Sequence, residues 1–311
     1  MAGDRRDARR YERLREIEDM DVTEEHSAIW VLDMAYEFPW DMQVGGSVGF
    51  YYSLAPPRMA RLLARTGELT DNTQRRLDDT NILMWETFRN GFAGERGREA
   101  VRQMNRVHRN AVRHVNDRDG EGHWSIANDE YLFVLAAIMV NMIRAVDRHG
   151  WRPFSRTERE AACLHFRSMG EHMGIKDVPE TYEEFEVFHD DYVRDHVEYS
   201  PEAARLWQAT QGVLVEVLVA WLPPRLHGWA SRAVRPALPA ILGPDLCRAF
   251  GLPAPSRLMT RTVDTVRRLR SLYVRWSAPR QEPAIPDRMP TERFPEGDYE
   301  FPDVGPDHST R

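Results

Sequence analysis

The sequence predicts an all-α chain built as a single large helical domain. Three observations carry this. Helix start and stop signals recur along the chain, including capping boxes at Ser155-Arg-Thr-Glu158 and Thr181-Tyr-Glu-Glu184. The run Leu132–Met142 is apolar on every side of a helix, as expected of a central, buried one. No segment longer than a few residues alternates with the period of a half-buried strand.

In order, residues 4–20 alternate charge, with Tyr11, Leu14 and Ile17 at helical spacing, predicting a charged and mostly exposed first helix within an N-terminal extension, 1–25. From His26 to Pro57 the chain is rich in aromatic residues and is interrupted by Gly45-Gly46 and Pro56-Pro57. This stretch is expected to be irregular and to wrap over a pocket. A short helix follows near 58–66, and then four longer ones, from about 72 to 90, 98 to 115, 128 to 150 (capped by Asn128) and 155 to 174. Thr181 opens another helix to about 197. Ser200-Pro201 begins one that Pro223 ends. Short proline-interrupted helices fill 228–251, and Ser256 opens a last helix through about Trp276. The helical domain is thus expected over 26–277. Residues 278–311 are rich in proline and acid and are expected to be a disordered or loosely attached tail.

Composition narrows the class. The net charge of −7 argues against a general nucleic-acid binder. Cys163 and Cys247 cannot build a disulfide framework or a four-cysteine zinc site, so a reduced, cytoplasmic setting is expected. No apolar run reaches the ~20 residues of a membrane span. Nine tryptophans and thirteen methionines suit irregular apolar cavities as well as ordinary cores.

The chemistry-bearing residues lie on two consecutive helices. Val101, Met104, His108, Ala111 and Val115 form one apolar stripe, which turns His108 inward. A buried imidazole needs either a hydrogen-bond partner or a metal for its nitrogens. Taken alone, such a histidine reads as a satisfied core residue. On the preceding helix Arg76 and Thr80 share a face, continued by Met84 and Thr87. An arginine and a hydroxyl on an apolar face suit an anionic or oxygen-bearing ligand. Alternatively the arginine snorkels to solvent and the threonine bonds back to its own helix. Glu186-x-x-His189 is a single Glu-x-x-His motif on a charge-rich helix, whereas a di-iron bundle needs two. His149, beside the helix-ending Gly150, suits the C-terminal helix dipole.

In combination, Arg75 to Thr80, Asn105-Arg-Val-His108, Asn128-Asp-Glu-Tyr-Leu-Phe-Val-Leu135, Gly150-Trp-Arg-Pro153 and Met169-Gly-Glu-His-Met-Gly-Ile175 resemble the family of MpaB-type oxygenases and rubber oxygenases (latex-clearing proteins). The resemblance spans roughly Tyr36 to Trp276. It implies a helical fold with a globin-like interhelical pocket for one non-covalent haem b. His108 would be the proximal iron ligand, with Arg76 and Thr80 beside the cofactor as active-site residues. The family's glutamate base lies upstream of the arginine and has no clear counterpart here. In rubber oxygenases a lysine just before the threonine can occupy the distal iron site in a closed state. Asp79 stands there instead, so that state is not expected. The sequence contains no Cys-x-x-Cys-His, which excludes covalent c-type attachment. The expected function is a haem-dependent oxygenase using dioxygen, and for some chemistries an electron donor, on a small apolar unsaturated molecule. Alternatives are a non-catalytic haem- or lipid-binding protein and a cofactor-free helical interaction protein. His165 and His172 are the next candidate ligands.

Overall fold

The computed structural model describes residues 9–119 and 123–306. Helices α1 (Glu12–Asp19) and α2 (Val22–Leu32) lead through one π-helical turn, Asp33–Glu37, into α3 (Pro39–Ser53). Then come α4 (Pro57–Thr66), α5 (Glu68–Asp71), α6 (Thr73–Asn90), α7 (Glu95–Asp119), α8 (Asn128–His149), α9 (Arg156–Met173), α10 (Tyr182–His196) and α11 (Pro201–Val219). Short helices α12 (His227–Val234), α13 (Leu238–Leu242) and α14 (Pro244–Ala249) precede α15 (Arg257–Trp276). There is no strand among the described residues, and the fold is all-α as the sequence predicts.

The apolar girdle of α8 has a direct structural reason. Leu132, Leu135, Met139 and Ile143 enter one core with α2, α6, α7 and α9, while Phe133 and Ala137 enter a second with α3, α4, α10 and α11. The helix thus lies between two cores. The capping signals operate as read: the Ser155 hydroxyl accepts from the Glu158 amide at 3.3 Å, and Glu158 accepts from the Ser155 amide at 2.6 Å. At α8 the cap differs from expectation. Glu130 accepts from the Ala127 amide at 2.8 Å, and the Asn128 side chain instead clamps the Lys176 backbone on both sides.

Two segments depart from the sequence expectation. Most of 26–57 is helical. Gly45, read with Gly46 as a break, and Gly49 let α3 and α8 approach until a Cβ on either would lie 2.4–2.6 Å from the α8 backbone. The described part of the tail, residues 278–306, packs on the helical domain. Tyr299, Phe301 and Val304 are buried in the core beside α6 and α7. The Trp85 indole donates to the Pro286 carbonyl at 3.0 Å, Gln103 to that of Val304 at 2.5 Å, and Arg75 to that of Gly305 at 3.1 Å. Widely spaced aromatic anchors dock a segment whose average composition looks disordered. Residues 1–8 and 307–311, part of the extension and the tail, lie outside the described residues.

Candidate functional site

Helices α6 and α7 pack side by side and bring Arg76, Thr80 and His108 together. The His108 stripe is buried at Val101, Met104 and Val115 but only half-buried at His108 and Ala111. Across from it, α8 presents the half-buried stripe Tyr131, Val134 and Ile138, and the Tyr131 ring lies 5.5 Å from that of His108. Helix α7 packs along α6, α9 and α4 rather than along α8. Burial, followed by the nearby Arg76 charge, lowers the His108 pKa to about 4.

Among the described residues neither ring nitrogen of His108 has a hydrogen-bond partner, and Nδ1 is fully buried. An orphaned, neutral imidazole on an apolar stripe fits an axial donor to a planar apolar cofactor. Arg76 does not snorkel outward. Burial pushes its pKa down, while Asp79 and Glu68 pull it back up. Its guanidinium donates to the Thr80 hydroxyl, which in turn donates to the Arg76 carbonyl at 2.7 Å. Thr80 therefore does bond back to its own helix, and Arg76 supplies the positive charge near His108. Asp79 points the other way, toward Arg293 of the tail at 3.5 Å.

The other histidines are accounted for differently. His165 is fully buried against Trp30, Phe88 and Phe92, with Nδ1 on the Ser27 hydroxyl at 3.2 Å and a buried Nε2 that has no partner among the described residues but is enclosed by these aromatic rings. His172 is exposed and bonded to the Ser168 carbonyl at 2.8 Å. His189 bonds to Asp190 and Asn141, while Glu186 pairs with Arg144, so that Glu-x-x-His is an ion-pair and hydrogen-bond network. His149 departs from the expected charged cap. Burial, then the Arg267, Arg148 and Arg268 charges, lower its pKa to about 3, which leaves it neutral. Sequence reasoning did not single out Tyr131 as a site residue. Its signal was the 131, 134, 138 spacing along the face of α8.

His165 gives a test of these environments. Burial lowers its pKa to about 3, so the folded protein holds it neutral, while the unfolded chain protonates it near 6.5. The folded pKa is the lower one, so this contribution to stability is complete above about 6.5 and is lost as pH falls. Urea unfolding at pH 7 and pH 5 is expected to show a loss of about 1–2 kcal/mol from this residue. His165→Phe should remove that part of the dependence. Asp33, whose pKa burial and Glu158 raise, acts in the opposite sense and is common to both proteins.

The all-α bundle thus places an unpaired imidazole, an arginine and a hydroxyl near one another on α6 and α7. Comparison with known proteins gives the family. Residues 38–275 match the catalytic domain described as "ER-bound oxygenase mpaB/B'/Rubber oxygenase", and the chain belongs to that family. It is 24% identical over 222 residues to "ER-bound oxygenase mpaB'" of Penicillium brevicompactum, covering 67% of this chain and 49% of the relative. It is 23% identical over 197 residues to "ER-bound oxygenase mpaB" of the same organism, covering 58% and 48%. The chain thus spans about half the length of these curated relatives. The fold is similar to that titled "Structure of Latex Clearing Protein LCP in the closed state", with a TM-score of 0.52 at 15% identity, covering 84% of this chain and 68% of that one.

Proposed function

We propose that this protein is a haem b-dependent oxygenase acting on an apolar, unsaturated small molecule, with His108 as the iron ligand. The observation that carries the reading is the His108 imidazole, which is neutral, lacks a hydrogen-bond partner and lies on a half-buried apolar stripe with the Tyr131 ring 5.5 Å away. When bound, haem b supplies the redox-active iron that dioxygen chemistry requires. The walls formed by Tyr131, Val134 and Ile138 would hold the substrate and exclude water. Arg76, positioned through Thr80, would orient oxygen or substrate and stabilise negative charge as it develops.

Two reactions suit such a pocket. Cleavage of a carbon–carbon double bond into two carbonyls places both atoms of dioxygen in product and requires no electron donor. A hydroxylating tailoring step places one atom in product and draws two electrons from a donor. Membership of the oxygenase family and the apolar surroundings of His108 support both. Cys163 and Cys247, both buried and free, suit the proposed cytoplasmic setting.

Arg76→Ala and Thr80→Ala are expected to retain haem and to lower substrate-dependent oxygen consumption on the order of a hundredfold. Full turnover with both residues replaced would remove their catalytic assignment, and a parent protein that takes up haem but turns over no substrate would be a haem or lipid binder. A purified protein that takes up no haem would remove the reading altogether.

A further inference from the structure

Helix α15 packs with its charged side inward. Arg270 lies 3.0 Å from both carboxylate oxygens of buried Asp41 and 4.1 Å over the Trp40 ring, and Arg267 covers the same ring at 5.6 Å. No residue of the helix is buried. The opposite face carries Leu258, Val266, Leu269, Leu272, Tyr273 and Trp276, with Leu258 76%, Tyr273 73% and Leu269 62% exposed. These residues fall on one side of α15, so the helix displays to solvent an apolar stripe that is continuous from Val266 to Trp276 and is interrupted by Thr262 and Thr265 before Leu258. Arg261, Arg268 and Arg275, seven residues apart, are exposed along one edge and have no ion pair among the described residues. Trp221, half exposed, meets the same Trp40 ring that Arg267 and Arg270 cover, at 6.5 Å.

Charge identifies what this face suits. From Trp221 to Trp276 there are ten arginines against two aspartates, a net of +8 within a chain of net −7. An apolar stripe flanked by arginines, with tyrosine and tryptophan at its margin, has the composition of a helix that lies in a lipid interface. No helix among the described residues is long and apolar enough to cross a membrane. A two-fold contact with a second copy would set one arginine edge against another, which like-charge repulsion opposes.

We propose that the outer face of α15, with Trp221 beside it, docks this protein peripherally on an anionic lipid surface. The apolar side chains would enter the boundary between headgroups and acyl chains, while Arg261, Arg268 and Arg275 contact lipid phosphates. This inference is independent of any cofactor.

Co-sedimentation of the full chain with phosphatidylcholine vesicles, plain or containing about one-third phosphatidylserine, tests it. Binding to the anionic vesicles is expected, at least about tenfold tighter than to the neutral ones and weakened by salt. Leu269→Ser with Trp276→Ser should weaken it about tenfold, as should Arg261→Glu, Arg268→Glu and Arg275→Glu together. All five positions are exposed, and none of their side chains forms a hydrogen bond or ion pair among the described residues, so both variants should keep the parent melting curve. Parent protein left in the supernatant with anionic vesicles, or folded variants that bind as the parent does, would overturn the proposal. A concentration-dependent dimer lost in the double serine variant would also overturn it, by assigning the face to a second copy.

Discussion

Protein expressed with haem precursor and carrying His108→Ala is expected to lose at least about tenfold of its Soret absorbance at equal protein concentration, while its far-ultraviolet circular dichroism stays that of the parent. The two halves of this result have separate causes. His108 is the imidazole that the apolar stripe of α7 carries, and its low pKa of about 4 leaves the lone pair free at neutral pH. Without it, a cofactor would be held by apolar contact alone. The fold is spared because neither nitrogen of His108 holds a hydrogen bond, so the substitution leaves no partner unsatisfied. Free imidazole added to the variant should restore part of the band, which loss of packing alone would not allow. The rival ligands lack a suitable setting, since aromatic rings enclose His165 and His172 is exposed with Nδ1 on a carbonyl. A variant that keeps the parent's ferric spectrum would move the ligand elsewhere and withdraw the site.

Much of this arrangement was legible in the sequence because it rests on local periodicity and caps. The 3.6-residue repeat turns His108 inward, the four-residue spacing puts Arg76 and Thr80 on one face, and Ser155, Thr181, Ser200 and Ser256 start helices as their chemistry dictates. What escaped depends on partners far along the chain. Gly45 and Gly49 are helix-weakening residues locally, and only the approaching α8 backbone gives them a packing role. The tail is acidic and proline-rich on average, yet Tyr299 donates a hydrogen bond to Glu86, which is buried and paired with Arg96 at 2.6 Å. Asp79 could be seen to replace a lysine. That it turns to the tail, leaving Arg76 and Thr80 to face His108, follows from Arg293 and no local pattern.

The largest stability effect is expected at Gly45. A Cβ there would lie 2.4 Å from the Asn141 carbonyl oxygen, 2.6 Å from the Met142 Cα and 2.9 Å from the Ala145 Cβ. Two of these are backbone atoms of α8, so no rotamer change relieves the overlap and the helices must separate. Overpacking of this kind costs about 1–3 kcal/mol or more, against a total stability of about 5–15 kcal/mol. Gly45→Ala is therefore expected to lower the urea midpoint by an amount equivalent to about 3 kcal/mol, and Gly45→Val to prevent accumulation of soluble protein. Gly46 is the internal control, because its Cβ would meet only the Met142 side chain, at an ordinary 3.7 Å. There alanine should stabilise by about 0.5–1 kcal/mol through helix propensity. The two neighbouring substitutions thus carry opposite signs, and equal effects would mean that α3 and α8 are not in close contact. Separation of the helices also moves the wall of Tyr131, Val134 and Ile138 relative to His108. Gly45→Ala protein that still folds should accordingly retain less haem than Gly46→Ala protein at the same temperature.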